Sequence, residues 1–562
     1  MQSQTATRHT FTHDHLAVDG VSQSYAGRRV LSDIGFAVPP GQRAGLIGEN
    51  GSGKSTLLRI LAGVQDADTG LVFRPARLGY YAQELDATPD TTAAEVLDRA
   101  QAPALEALAG LESGDPERYA QAIDDAERLG AWSAGARRGA ALAGLGLSGL
   151  DEHARVGGLS GGQRARLALA ALILEEPDAL LLDEPSNHLD DAAVAYLESV
   201  LRDWKGPVLF ASHDRTFLDR VATRIVDLDP LPVPAAVLAD AQEGADAGSG
   251  FGVRSFGGGY SDARRTREHL MRLWRDRYEA EQEELADLRH EIEVGSRNVN
   301  RRNEPRTEAR ASLKFYTDKD ARVTARRARN ARVRFETLER DRVRRPPRPL
   351  RFAGFTLPPV SPAASRDGSV PGTDPVLRVT GLHVPGRLDA VDLALPPGGR
   401  LLLTGPNGSG KSTLLGALTG AVAHHGDVRW APGTRAARLA QDTVFPEPRR
   451  TAAEWYARAV GPDRAEELPL AELGLLASQD VDRAVGELSL GLQRRVALAA
   501  LVADPPDVLL LDEPSNHLSL ALVDQLEEAL EAFAGAVVIA THDRWLRSRW
   551  VGKGTTELRL GE

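Results

Sequence analysis

The sequence repeats itself over most of its length. Residues 48–58 read GENGSGKSTLL and residues 405–415 read GPNGSGKSTLL. The decapeptide LLLDEPSNHL occurs unchanged at 180–189 and 509–518, and SHDR at 212–215 returns as THDR at 541–544. Order and rough spacing agree, so the chain contains a duplicated domain. Its 562 residues exceed what one hydrophobic core usually serves.

Each copy opens with chemistry that needs its residue types. Gly48-Glu49-Asn50-Gly51-Ser52-Gly53-Lys54-Ser55-Thr56 and Gly405-Pro406-Asn407-Gly408-Ser409-Gly410-Lys411-Ser412-Thr413 fit the phosphate-binding loop, each preceded by an apolar strand and followed by a helical run. Glycines let backbone N–H groups converge on phosphate oxygens, the lysine neutralises the β/γ charge, and the first hydroxyl, Ser55 or Ser412, ligates Mg²⁺. Downstream, apolar runs end in Asp183-Glu184 and Asp512-Glu513. A strand end delivers both carboxylates, the first for the Mg²⁺ shell and the second to orient or deprotonate the attacking water. The expected cofactors are ATP and Mg²⁺.

The copies differ in spacing. Lys54 lies 129 residues before Asp183, and Lys411 lies 101 before Asp512. The first copy therefore carries an insertion, read as helix over about 94–141 from its Ala, Leu and Glu content. Between the copies, 230–259 and 358–375 are rich in Pro, Gly and small residues and read as joints. They bracket a segment in which Leu270, Trp274, Tyr278, Leu285, Leu288 and Ile292 form one helical seam. Ala321, Thr324, Ala328, Ala331, Phe335 and Leu338 form another, beyond a polar stretch near 295–307 that predicts a turn. An antiparallel helical hairpin follows. The domain reading is 1–235, 255–350 for the hairpin, and 374–562.

Charge divides along the same lines. Residues 260–351 hold 26 Lys/Arg against 17 Asp/Glu, while the remainder holds 42 against 62. From 294 to 351 the balance is 19 against 7, nearly all arginine, a composition suited to phosphate contact and base stacking. A solvated charged hairpin is the alternative on charge alone. Arg297, Arg301, Arg302 and Arg306 flank the predicted turn and are the candidate RNA contacts. Cysteine is absent, which excludes disulfides, thiolate metal sites and cysteine nucleophiles. No stretch approaches a membrane-spanning length of apolar residues, and a cytoplasmic location is expected.

Leu159-Ser160-Gly161-Gly162-Gln163 looks like the signature sequence of the ATP-binding-cassette superfamily. The resemblance implies an α/β fold of two tandem ABC-type P-loop ATPase domains joined by an α-helical hairpin linker. It further implies head-to-tail pairing of the cassettes within one monomer, each ATP lying between one half's phosphate loop and the other half's signature. Gln83 and Gln441 match the family's glutamine loop, placed in the nucleotide and Mg²⁺ shell, and His213 and His542 match its γ-phosphate-sensing histidine. The second signature departs from the pattern: it keeps Ser489 and Gly491 but has Leu490 and Leu492 for Gly161 and Gln163. Tyr25 stands where the family places an aromatic against adenine, with core packing as the other reading. No aromatic occupies the matching region near 382–388.

With no membrane segment, an insertion in the first copy and a charged linker, the whole chain resembles the ABC-F family of translation factors and ribosome-protection proteins. That resemblance implies an ATP hydrolase that binds the ribosome at the exit site, contacting ribosomal RNA and P-site tRNA near the peptidyl-transferase centre, with no membrane subunit. Antibiotic resistance is the reading taken. A housekeeping translation factor and a transporter ATPase are the alternatives.

Overall fold

The computed structural model describes residues 10–25, 28–49, 51–82, 87–113, 115–187, 189–228, 233–240, 252–300, 310–346, 374–406, 408–441, 444–516, 518–551 and 554–561. Two compact units result. One gathers 1–229, 252–260 and 348–562, and so contains both repeats; the other comprises 230–251 and 261–347.

Within the first unit the two copies fold alike. Short runs of Val, Leu and Ala form the strands of a parallel sheet whose hydrophobic faces are covered on both sides, as continuous apolar runs require. In the first copy the order is Arg254–Gly257, Arg224–Asp227, Arg43–Ile47, Val208–Ala211, Ala179–Asp183, Leu78–Tyr81, parallel except for the antiparallel edge strand Arg254–Gly257. In the second it is Ala436–Leu439, Val508–Asp512, Ala536–Ala540, Arg400–Thr404, Thr555–Arg559, parallel throughout. Each copy adds a second sheet built on an antiparallel hairpin, Leu16–Tyr25/Arg28–Val38 in the first, where the edge strand Thr10–Thr12 joins in parallel, and Leu377–Val384/Leu388–Leu395 in the second. In both, the phosphate loop, the Asp-Glu pair and the histidine segment leave the carboxyl ends of neighbouring strands, the edge at which open α/β sheets bind ligands.

The inserted stretch of the first copy is helical at Ala93–Ala100, Ala102–Gly110, Pro116–Arg128 and Ala134–Gly144. The first of these has a counterpart: Thr92 with Glu95 and Thr451 with Glu454 both form capping boxes at the heads of Ala93–Ala100 and Ala452–Val460. The extra material is therefore centred on the two helices after Ala100.

The second unit holds the helices Tyr260–Asn300, apart from its first residue, and Arg310–Asp341. Leu270, Trp274, Leu285 and Leu288 of the first seam are buried, as is Ala331 of the second, while Phe335 and Leu338 are half-buried. The first helix continues through Gly295 to Asn300, so the expected turn does not begin there. One interior glycine costs about 1 kcal/mol relative to alanine, which a long helix sustains. Part of the expected joint at 230–259 is ordered. Val233, Val237 and Leu238 pack with Leu270, Trp274 and Val343, and Trp274 Nε1 donates to the carbonyl of Arg344, 70 residues further on, at 2.7 Å. The side chain of Arg297, and Arg301, Arg302 and Arg306 altogether, lie outside the described residues.

Candidate active site

Each phosphate loop is a tight glycine turn held by its own lysine. Gly48, Gly51 and Gly53 have φ of 154°, 85° and 96°, and Gly405, Gly408 and Gly410 repeat these at 141°, 85° and 92°. A Cβ on Gly53 would stand 2.5 Å from the Leu31 side chain, and one on Gly410 would stand 2.5 Å from the Arg387 carbonyl, so side chains are excluded by space as well as by φ. Lys54 Nζ donates to the carbonyls of Gly48 (2.9 Å) and Glu49 (3.1 Å); Lys411 Nζ donates to those of Gly405 (2.9 Å) and Pro406 (3.0 Å). The helices Lys54–Ala62 and Lys411–Leu418 start directly from these loops and direct their N-termini at the same space. Ser52 Oγ and Ser409 Oγ are buried in the loops with no hydrogen-bond partner.

The acidic pair is set in strained backbone. Glu184 and Glu513 have φ of 50° and 47°, a left-handed conformation that a non-glycine residue adopts at a cost and that clusters at functional sites. Their Oε2 atoms accept from the backbone N–H of His213 (3.1 Å) and His542 (3.2 Å). Their Oε1 atoms are buried without a hydrogen-bond partner, each 3.5–3.6 Å from the imidazole Nε2 of the same histidine. Burial pushes both carboxyls up to about 7, against the backbone hydrogen bonds and the lysines that pull them down. In each copy a carboxylate poised near neutrality thus has one oxygen fixed and one available to a water. In the second copy Ser412 Oγ donates to Asp512 Oδ1 at 3.0 Å, joining a hydroxyl and a carboxylate suited to Mg²⁺.

One cleft is lined by Tyr25, Gly51, Gly53, Lys54, Ser55, Thr56, Asp183, Glu184 and His213 of the first copy, and also by Gln441, Glu513 and His542 of the second. An adjoining one is lined by Gly408, Gly410, Lys411, Ser412, Thr413, Gln441, Glu513 and His542. Tyr25 is 43% exposed in its cleft, its hydroxyl donating to Gln65 Oε1, so it is no core residue. Gln83, Asn50 and Asn407 lie outside the described residues. Ser160, Gly161, Gly162, Gln163, Ser489 and Gly491 line neither cleft. A link between loop and opposite signature helix exists nonetheless: Arg495, on the helix Leu490–Ala503, is 2.8 Å from Glu49.

The signature serines act as helix N-caps. Ser160 and Gln163 exchange side-chain and backbone bonds in a capping box at the head of Gly161–Glu175. Ser489 accepts from Leu492 N at 3.4 Å, but a leucine cannot answer, so the second signature retains half of the cap. Leu490 stands 59% exposed where Gly161 has open space about it.

Three arginines of the second copy escaped sequence reasoning. Arg387, in the turn between Leu377–Val384 and Leu388–Leu395, lines the second cleft and can stack on a base as an aromatic does. Arg438, where the first copy has Tyr80, reaches Asp512 Oδ2 at 2.6 Å. Arg494, at the position of Ala165, is fully buried and donates to the carbonyls of Gln441 (2.9 Å), Asp512 (2.6 Å) and Glu513 (2.7 Å). The signal for the last two was the repeat itself, once the copies are aligned position by position.

A family model described as ABC transporter matches residues 31–187 and 388–516. The chain is 37% identical to the tylosin resistance ATP-binding protein TlrC of Streptomyces fradiae over 98% of each chain. To ABC transporter F family member 4 of Arabidopsis thaliana it is 30% identical over 95% of this chain and 72% of that protein. Among solved structures, one titled RNase-L Inhibitor covers 94% of this chain and 85% of its own with a TM-score of 0.51 at 18% identity, a likeness of fold alone.

Proposed function

This chain belongs to the ABC-F branch of the ATP-binding-cassette family and is a tandem ATPase, and from that premise we propose that it binds the ribosome in an ATP-dependent way, near the exit site and the peptidyl-transferase centre, and confers antibiotic resistance by protecting it. The observation that carries this reading is the relative named for tylosin resistance, whose match extends over nearly the whole of both chains and so includes the hairpin as well as the cassettes. The exposed Arg326, Arg327, Arg329 and Arg332 on Arg310–Asp341 add a surface suited to phosphate. Among the described residues no helix is long and apolar enough to cross a membrane, and the transporter alternative has no feature of its own in its favour.

At each site the roles follow from chemistry. Lys54 and Lys411, with the glycine-loop N–H groups, receive the phosphates. Ser55, Asp183 and Gln83 in the first copy, and Ser412, Asp512 and Gln441 in the second, would hold Mg²⁺, which supplies charge neutralisation on the β- and γ-oxygens when bound. Glu184 and Glu513 hold the attacking water through their available Oε1 atoms, and His213 and His542 face the γ-phosphate. Ser160 and Gly162 complete the Lys411 site, and Ser489 and Gly491 complete the Lys54 site, when the cassettes close. Closure then sets the hairpin for binding and hydrolysis releases it. A near-complete shift needs ATP to favour the closed state by about 5 kcal/mol.

The test uses the full chain with Glu184→Gln and Glu513→Gln together. It should sediment with ribosomes in ATP and not in ADP, and the unsubstituted chain should lower tylosin susceptibility in a sensitive host. Absence of nucleotide-dependent co-sedimentation contradicts the ribosome reading, and unaltered susceptibility with intact ribosome binding favours a housekeeping factor.

A further inference from the structure

Two arginines, each two residues beyond a sensing histidine, cross between the cassettes. Arg215 is 1% exposed, and its three carboxylate partners all belong to the second copy: Asp524 at 3.0 Å, Glu527 at 2.5 Å and Asp543 at 2.7 Å. Trp545 of the second copy adds its ring, 5.6 Å from the guanidinium. Arg544, the equivalent residue of the second copy, reaches back to Glu198 (3.2 Å) and Asp214 (2.8 Å) of the first. Each receiving glutamate also holds an arginine of its own cassette, Arg220 on Glu198 and Arg549 on Glu527, both at 3.3 Å. Arg220–Glu198–Arg544 and Arg549–Glu527–Arg215 are thus one arrangement built twice, in the register that relates His213 to His542.

A buried ion network is a poor way to glue two surfaces, because desolvation consumes most of the Coulombic gain and apolar packing serves as well. Its value lies in fixing one geometry, since a misaligned pairing leaves charges buried and unmatched. The geometry fixed here is that of the catalytic groups. Glu184 Oε2 accepts from His213 N; the next residue, Asp214, holds Arg544; and Arg544 follows His542, whose N–H bonds Glu513 Oε2. The reverse strand of the cross runs from His542 through Asp543 to Arg215.

We infer that Arg215 and Arg544 are positioning residues that make the two ATP sites interdependent, by tying each histidine segment to the acidic groups of the opposite cassette. The inference rests on the assignment of Glu184, Glu513, His213 and His542 given above. A ligand state that moves one histidine segment must then shift the other or break a buried pair, which is a coupling between sites with a defined physical carrier.

The experiment compares ATP turnover and ATP-binding curves in the full chain. Glu513→Gln alone should lower turnover well beyond the half expected for independent sites, by about tenfold, within the usual range of site coupling. Adding Arg544→Gln with Glu198→Gln and Arg215→Gln with Glu527→Gln, which breaks both halves of the cross and removes opposite charges together, should restore turnover at the Glu184 site toward half of the unsubstituted level and reduce the Hill slope of ATP binding to one. Arg544→Lys, which keeps the charge but cannot reach both acids, should give an intermediate result and guards against loss of fold in the paired variant, checked by thermal melting. Equal inhibition by Glu513→Gln with and without the arginine changes, in folded protein, overturns the inference. Turnover persisting in the Glu184→Gln/Glu513→Gln protein is a separate failure, that of the catalytic assignment itself.

Discussion

The two candidate ATP sites share their loop glycines, lysine, serine and Asp-Glu pair and differ in what stands behind them. In the first, Tyr25 faces the cleft and the loop carries Glu49, paired to Arg495 across the cassettes. In the second, Arg387 of the hairpin turn lines the cleft, Pro406 takes the place of Glu49, and Arg438 and Arg494 bind the strand end that carries Asp512 and Glu513. Lys411 is buried where Lys54 is half-buried, and its surroundings push its ammonium down. Duplication has preserved the chemistry, while divergence has acted on the support. The second site is braced from within its own cassette, and the first leans more on its partner.

Arg494→Ala should show that difference most strongly. Losing a buried cation that satisfies three carbonyls should lower the stability of the chain by about 3 kcal/mol, read as a lower midpoint in urea. The first copy manages with Ala165, so a chain indifferent to Arg494→Ala would remove the idea that the second site is internally braced.

The base platforms come next. Tyr25→Ala should weaken ATP at the first site by about 1–3 kcal/mol if the ring stacks on adenine, measured by ATP titration in a Glu513→Gln background. Arg387→Ala in the Glu184→Gln background tests whether the guanidinium serves as its equivalent. A loss at Arg387 larger than at Tyr25 would reverse the ranking of the two platforms.

The smallest expected difference lies in pH, because burial raises both glutamates alike, to about 7. In the proposed role of Glu184 and Glu513 turnover requires the ionised form, so at saturating ATP it should rise with pH through about 7 in both single-site proteins. For stability the sign is opposite. A carboxyl held above its unfolded value binds its proton longer in the folded state, so the contribution is present in acid and is lost as pH rises through about 7. Glu184→Gln and Glu513→Gln should therefore gain thermal stability over the unsubstituted apo-protein increasingly from pH 5 to pH 8. Distinct pH midpoints at the two sites would add an asymmetry that the burial of the carboxyls does not contain.

Much of this was legible in the sequence because phosphate chemistry is written locally. Lys54 and Ser55 open a helix directly after their loop, and Asp183 and Glu184 close a strand, so their neighbours in sequence are also their neighbours in space. The two helical seams of the hairpin were likewise periodic enough to read. Arg438, Arg494 and the Arg215–Arg544 cross were not, since their partners lie 18 to 346 residues away and are brought near only by sheet order and by the pairing of the copies. The polar stretch near 295–307 was read as a turn, but the helix Tyr260–Asn300 continues through Gly295, since the 35 residues before it favour helix more than one glycine disfavours it.

The central claim is that one chain carries two hydrolysis sites of unequal character. It is tested most directly by measuring the KM for ATP of Glu184→Gln and Glu513→Gln separately, in the same buffer and at the same protein concentration. The account predicts two different values, with the lower KM in Glu513→Gln, the protein that retains the Tyr25 site. Indistinguishable KM values and rates for the two variants would contradict it.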